Sequence, residues 1–493
     1  MNENHAQHSK ILLHHLVDTD DLAKKALYTR RDGQKLDYTT YFNSLDAKKW
    51  KSETTLETAS LQLETKGDFQ ISFVAWTGAG QEELGTETVS GSFRHDFLAD
   101  ELPDGILGFE LTPLSSESSL ESGGWYGIFS EWKNLKIGIS ICTFHREEYV
   151  RRTMSVLQEF QKDHDWLTVL VVDNGQTLPT QQGRIRVIHN PNYGGSGGFT
   201  RGLMEYVKED RVDEILLMDD DIILEPSVLE RTWAFLGGLK PENRERILGG
   251  AMLFTEHPTI QHENLSCWPS RKVASFYEGL DLSKVENLAG NGRPKEEPNQ
   301  YAAWWYACIP MELVKKQGYP LPLFIKIDDI EYSVRSGKRP MSLNGVSVWH
   351  VEDGKKPGGA IIKYYADRNA LILHHSLPGK GYLHQMYQVC GRIYKRIADH
   401  RYDDLHVFRY ALHDYVRGLH ALTSIPADQQ RKERLAVCNK DYQGSDLAVL
   451  LKDTLWLALH YSSLAKDYRN FIDHDLKTSK YWEDYLRLGD TNR

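Results

Sequence analysis

From Tyr38 to Trp132 apolar and polar residues alternate. Leu61-Gln62-Leu63-Glu64 and Phe69-Gln70-Ile71-Ser72-Phe73 have period two, and Gly67-Asp68, Gly78 to Gly80 and Gly123-Gly124 supply turns. Strands cut by regular turn residues predict a β-sandwich or small barrel over residues 1–134. The serines between Ser115 and Ser122 read as a loop inside that domain. Trp50, Trp76, Trp125 and Tyr126 are its core or a carbohydrate-binding face, with packing the commoner use of such large apolar areas.

At Leu135 the pattern changes. Ile137 to Cys142, Leu167 to Val172, Arg186 to Ile188 and Ile215 to Met218 are short apolar runs separated by helical segments, one of them from Glu147 to Lys162. This is the grammar of a parallel sheet with crossover helices, an α/β domain over residues 135–375 whose ligands bind beyond the carboxyl ends of the strands. After Ser376 helical spacing takes over, as in Leu383, Met386, Tyr387, Cys390, Ile393, Tyr394 and Ile397, and again from Asp446 to Phe471. Residues 376–493 are therefore expected to be a helical domain.

The polar motifs sit at the predicted strand ends. Asp219-Asp220-Asp221 follows Leu216-Leu217-Met218. Alternation puts Asp219 and Asp221 on one side and Asp220 on the other, and carboxylates so close require a cation or a solvated turn. Asp173, ending its strand, is placed to accept hydrogen bonds from a nucleoside or to cap the turn after it. Asn192 to Phe199 holds four glycines in five positions before a helix expected near Thr200. Such a loop lets backbone N–H groups approach an anion. Asp328-Asp329 precedes another helix, where paired carboxylates either raise one pKa toward that of a general base or charge the helix start. Trp304-Trp305 offers flat faces for a sugar or for packing, and His350, after Val348-Trp349, taken alone reads as a core histidine. The polar stretch from Pro258 to Gln300 is long for a connection and reads as a lid or binding loop, with His262-Glu263 at its start.

Composition narrows the class. A net charge of -10 argues against a partner bound by phosphate neutralisation along nucleic acid. Five scattered cysteines give no disulfide framework and no zinc spacing, which suits a reducing cytosol. Met1 to Lys10 has no apolar signal region and no stretch is apolar long enough to span a bilayer, so neither secretion by a signal peptide nor membrane insertion is expected. Arg392, Lys395, Arg396, Arg401, Arg409, Arg417, Arg431, Lys432 and Arg434 give the helical region a basic cast. That face could dock an anionic inner-leaflet surface, lie in solvent, or form a subunit interface of a homo-oligomer.

Taken together, Thr143 to Arg146, Val172 to Asn174, Asn192 to Phe199, Asp219 to Asp221, Trp304-Trp305, Asp328-Asp329, Trp349-His350 and Tyr364 to Asn369 resemble, in order, the metal-dependent inverting nucleotide-sugar glycosyltransferases of the GT-A fold. The set looks most like the polymerising galactofuranosyltransferases of bacterial cell-envelope synthesis. The resemblance covers roughly Leu135 to His375 and implies roles for most of these motifs, though none for Tyr364 to Asn369. Phe144, Arg146, Asp173, Asn192, Asp219 and Asp220 would bind the uridine-diphosphate donor, and Asp219, Asp221 and His350 would hold Mn2+ or Mg2+. Asp329 would be the base, with Trp304, Trp305, Asp328 and, as a further candidate, Glu331 on the acceptor sugar. The implied reaction moves galactofuranose to a lipid-linked glycan at the cytoplasmic face of the membrane. Another donor sugar, rhamnose or galactopyranose, and a non-catalytic carbohydrate-binding protein on this fold are the alternatives. The interval from Asp329 to His350 is shorter than in the best-known members, which leaves acceptor and product length open.

Overall fold

The structure, a computed structural model, describes residues 10–269, 273–293, 295, 297–350 and 359–488. The polar start of the chain, residues 1–9, lies outside them. At the centre is a six-stranded sheet in the order Ile185–His189, Leu167–Asp173, Ile137–Thr143, Glu214–Asp219, Tyr306–Pro310, Leu248–Gly249. The first four strands are parallel, and Tyr306–Pro310 runs against Glu214–Asp219. These are the four apolar runs of the sequence, in the arrangement their spacing predicts, with one antiparallel strand added.

Alternation along these strands feeds two separate cores. Ile137, Ile139, Ile141, Val169, Val171, Leu216 and Met218 belong to one cluster, which continues through Trp50, Phe109 and Trp125 of the N-terminal region. Leu170, Val172, Ile215, Leu217, Ala307 and Ile309 belong to the other, which continues into Leu405, Phe408, Leu457 and Phe471 of the C-terminal helices. Period-two side chains thus bind the N-terminal part to one face of the sheet and the C-terminal part to the other. The boundaries expected near residues 134 and 375 do not separate cores.

The N-terminal strands form one hydrogen-bonded sheet of seven. Its frame is the hairpin of Leu56–Thr77 and Gly80–Leu98. The free edge of Leu56–Thr77 pairs with Ser119–Phe129 in its first half and with Ile106–Pro113 in its second. Aromatic side chains of those two partners meet, Phe109 and Trp125 having ring centres 6.5 Å apart. Trp50 and Trp125 are fully buried and Trp76 packs against the same core, so the packing use of these rings is the one realised.

The glycine-rich segment differs from expectation. It is not a loop: a helix runs Gly194–Glu209 and takes the glycines into its first turns. The reason is close approach to the strand Ile137–Thr143. A Cβ at Gly198 would lie 2.1 Å from Cys142 Sγ, and one at Gly202 would lie 1.9 Å from Ser140 Oγ. Nor is the stretch from Pro258 to Gln300 structureless, since Ser266–Cys267, Ala274–Ser275 and Gln300–Tyr301 form a small sheet beside a helix Val285–Gly290. The C-terminal region is helical, with Tyr382–Ala398, Tyr402–Val416 and Gly444–Asp473 its longest members.

The helix–strand contact makes a direct prediction. Gly202→Ala should destabilise the fold by roughly 1–3 kcal/mol through overpacking. Gly195→Ala, whose Cβ would meet nothing closer than 3.7 Å, should be neutral or stabilising. Urea unfolding midpoints of the two variants check the contrast.

Candidate active site

Every carboxylate motif converges at the carboxyl end of the central sheet. Strand Glu214–Asp219 ends at Asp219, and the chain re-enters a strand at Ile222–Leu224, which pairs antiparallel with Ser347–His350 so that Ile222 faces His350. That register carries His350 to Asp221, with Nε2 2.9 Å from Oδ1. Asp219, Asp221 and His350 offer ligand atoms all within 4.8 Å of one another. Two hard carboxylates and an imidazole are a fitting donor set for Mn2+ or Mg2+.

Asp220 points elsewhere, as alternation predicts. It is buried near Thr143, and its Oδ1 lies 3.6 Å from Arg146 Nη1. Burial, opposed by the Thr143 hydroxyl and reinforced by the charge of Asp219, pushes its carboxyl up to about 6. Arg146 also hydrogen-bonds Asp221 and stands at the start of helix Glu147–Phe160. The turn between that helix and the preceding strand passes through His145 at φ 55°, leaving the Phe144 ring nearly half exposed.

Asp173 and Asn192, both expected at the donor, bond to backbone N–H groups. Asp173 is fully buried, and its Oδ1 accepts from the N–H groups of Gly175 at 2.8 Å and Gln176 at 3.0 Å. Its Oδ2 accepts from Thr177 and Leu178, both at 2.7 Å. A carboxylate has about four acceptor positions, and four N–H groups of the turn reach those of Asp173. Asn192 spends its Oδ1 on the N–H of Gly194 at 3.0 Å, which starts the glycine helix.

A cleft of about 1160 Å³ opens beside these groups, lined by Asp219, Glu263, Trp305, Asp328 and Asp329 among others. The antiparallel pairing of Met218 with Tyr306 brings Trp304 and Trp305 to the metal-side carboxylates. Trp305 donates its Nε1 to Gly250 O at 2.9 Å and leaves part of its ring open. Trp304 is packed edge-on between Phe199 and Tyr332. It lines the cleft from a buried position.

Asp328 and Asp329 open the helix Asp328–Arg335. Asp328 accepts from Ser196 Oγ at 2.8 Å, and Asp329 Oδ1 from the N–H of Ile330 at 2.8 Å. Burial raises both carboxyls, and the charge of Asp328 raises Asp329 further, with Glu263 adding to it. Asp329 is the more strongly raised of the two. Glu331 is not in the cleft: it is fully buried and takes Arg335 Nε at 2.8 Å and Ser376 Oγ at 2.7 Å.

Sequence reasoning left without a role both Glu263 and the Arg368-Asn369 pair, which ends the Tyr364 to Asn369 motif on the helix Ala360–Leu373. Just before Asp328 the chain passes through Phe324, Lys326 and Ile327 at φ 72°, 68° and 72°. Each such residue costs about 1–3 kcal/mol. The strained turn is held from behind by Asn369, whose Nδ2 donates to the carbonyls of Leu323 at 3.1 Å, Ile325 at 2.9 Å and Lys326 at 2.9 Å. Buried Arg368 adds a bond from Nη2 to Leu323 O at 2.9 Å. The adjacent polar pair Arg368-Asn369 inside an apolar helix was the available signal. For Glu263 it was a polar alternation, Gln261 and Glu263 both buried on one short strand.

Comparison with known proteins agrees with this geometry. Residues 139–242 match the family model described as glycosyl transferase family 2. Over 426 residues, 79% of this chain, the sequence is 26% identical to the galactofuranosyltransferase GlfT2 of Mycobacterium tuberculosis. It is also 26% identical over 425 residues to the galactofuranosyltransferase GlfT2 of Mycolicibacterium smegmatis. The chain spans 66% and 65% of the lengths of these relatives. Among solved structures, the mannosyltransferase PcManGT of Pyrobaculum calidifontis, in complex with GDP-Man and Mn2+, is 14% identical. It covers 66% of this chain and 88% of its own, with a TM-score of 0.31, too low to bear on the fold.

Asn369→Ala should release the strained turn. Amide exchange at residues 326–331 is expected to accelerate, with a loss of roughly 1–3 kcal/mol in unfolding free energy from the carbonyls left unsatisfied. Unchanged exchange would show that the turn holds its shape without the clamp.

Proposed function

We propose that this chain is a metal-dependent, inverting glycosyltransferase that moves galactofuranose from UDP-galactofuranose to a hydroxyl of a growing cell-envelope glycan. The observation that carries the reading is the placement of a metal-type donor set, Asp219, Asp221 and His350, at a cleft that also contains the raised carboxyl of Asp329. The galactofuranose donor is the finer part, supported by the two galactofuranosyltransferase relatives.

A divalent ion at that donor set would offset charge building on the leaving diphosphate. The remaining work falls to this chain's side chains. Arg146, bonded to Asp221 and near Asp220, stands beside the metal-side carboxylates and suits a phosphate oxygen. Phe144 presents an exposed face for the base at the end of its strand. Asp173 and Asn192 act through the backbone, fixing the turn and the helix start that form the floor of the donor side. Trp305 lays an apolar face along the cleft for the acceptor sugar, and Asp328 and Glu263 are placed to accept its hydroxyls.

Asp329 would take the proton from the attacking hydroxyl. Burial and the neighbouring charges raise its carboxyl well above the usual range, which brings its proton affinity nearer to neutrality. A base works only when deprotonated, so the rate should climb as pH rises through that raised pKa and fall away on acidification.

The same reading puts the enzyme on the cytoplasmic face of a membrane, as a peripheral protein. The described residues contain no helix long and apolar enough to cross a bilayer. Leu383, Tyr387 and Tyr394 on one helix and Leu451, Leu455 and Leu459 on another leave apolar side chains exposed, which supports surface contact with lipid or with a second copy.

The test is release of uridine diphosphate from a panel of UDP-sugars with a short galactofuranose-terminated acceptor. Release is expected to be selective for UDP-galactofuranose, to require Mn2+ or Mg2+, and to stop with chelator. Asp329→Asn should lower kcat by about 10²–10⁴-fold, with UDP affinity kept. Turnover at the wild-type rate in that variant removes Asp329 as the base, and release from a different UDP-sugar reassigns the donor.

A further inference from the structure

A second, smaller cavity lies away from the cleft, where the helix Ala47–Glu53 and the turn at Gly105 meet the end of the helix Val285–Gly290. Asp46, Lys48, Lys49, Glu53, Asn291 and Arg293 line it. About 30 Å³ of it is open to the centre of a water-sized sphere. That is room for roughly two waters, or for one oxyanion group in their place.

Lys49 is the residue this cavity must account for. It is 7% exposed, and among the described residues its ammonium makes no hydrogen bond and no ion pair. Burial lowers its pKa, against the attraction of Asp46 and Glu53. Those two carboxylates are engaged elsewhere. Asp46 Oδ2 accepts from the N–H of Asn344 at 3.2 Å, and Glu53 pairs with Arg246 at 2.6 Å. On the other side of the cavity Arg293 donates its Nε to Ala289 O at 2.9 Å and brings its guanidinium to the lining. A buried ammonium with three donors and no acceptor is costly until an acceptor joins it. Water would satisfy the donors and leave the charge of Lys49 where it is, whereas an oxyanion answers both at once. Guanidinium and ammonium groups together suit phosphate oxygens in particular.

We infer that this cavity binds a phosphate group, held between the ammonium of Lys49 and the guanidinium of Arg293. The bound group joins the helix Ala47–Glu53 to the segment that ends at Arg293. Asn291, in that segment, exchanges side-chain hydrogen bonds with Gln261 at 3.0 and 3.2 Å and donates to Asn344 at 2.9 Å. Gln261 shares its short strand with Glu263. A phosphate at Lys49 is thereby tied, through buried amides, to the strand that brings Glu263 to the cleft. The site lies outside the transfer centre and does not rest on the transfer reading.

The experiment titrates inorganic phosphate into the full, metal-free chain by calorimetry, in a buffer without other multivalent anions. Saturable binding is expected. Lys49→Met replaces the buried cation with an apolar side chain of similar length, so without phosphate it should unfold at or above the wild-type midpoint. Its phosphate affinity should fall about tenfold or more, as loss of a charged hydrogen bond predicts. Arg293→Gln should weaken binding in the same sense. Lys51→Gln, an exposed cation on the same helix and outside the cavity, should leave it unchanged. Phosphate should slow amide exchange over residues 285–293 in the wild type and not in Lys49→Met. Glycerol 3-phosphate, titrated alongside, separates two sources of the group: binding as tight as that of the free ion places the phosphate on a larger molecule, and weaker binding leaves the free ion as occupant, either result supporting the site. No saturable binding, or equal binding by Lys49→Met and the wild type, overturns it. So does a Lys49→Met protein that unfolds earlier than the wild type before any phosphate is added, because Lys49 would then be satisfied by the protein itself.

Discussion

Mutual repulsion among carboxylates at one end of the central sheet is the constraint to which the rest of the structure answers. Asp219, Asp220, Asp221, Asp328, Asp329 and Glu263 gather there, and most are buried. The protein offsets part of the cost with Arg146 on Asp221, His350 on Asp221, and hydroxyls of Ser196 and Ser275 on Asp328 and Glu263. The remainder appears as raised carboxyl pKa values, highest at Asp329, where neither a cation nor a hydroxyl makes a hydrogen bond among those described. An uncompensated carboxyl costs stability and gains proton affinity, so the place where the fold is least satisfied is the place suited to remove a proton.

Holding such a group still requires more than its own helix. The left-handed residues before Asp328 are strained, and the hydrogen bonds from Asn369 and Arg368 to their carbonyls and that of Leu323 offset part of that strain. That clamp sits on the helix Ala360–Leu373, which also presents Ala366 and Asp367 to the cleft. One element therefore supports the acid side from behind and lines the cleft in front.

Much of this was legible in the chain before its fold was seen. Period two in Leu216 to Leu224 separated Asp219 and Asp221 from Asp220, and the structure keeps that separation. The apolar runs named the central strands because buried parallel strands need continuous apolar sequence. What stayed hidden concerns the backbone. Asp173 was open to a nucleoside or to a turn and makes the turn, while the glycines, read for an anion, serve a close helix–strand contact, since sequence does not show which N–H groups are left wanting partners. His350 gave no signal of its own, because its meaning comes from a cross-strand register fixed only when Ser347–His350 finds Ile222–Leu224. Glu263, Arg368 and Asn369 were visible as polar residues in apolar settings, but their targets lie 43 to 46 residues away in the case of Asn369, beyond any local pattern.

The shared cores have a consequence for how such a chain can change over time. Each central strand contributes alternate side chains to two different cores, one completed by the N-terminal sheet and the other by the C-terminal helices. Neither flanking part can be excised or exchanged without baring a row of valines, leucines and isoleucines. Lineages descending from such a chain are thus confined to repacking in place, with insertions and losses admitted only at loops and beyond the packed helices. The catalytic sheet is the one part whose residues answer to both neighbours at once, and it should be the slowest to drift.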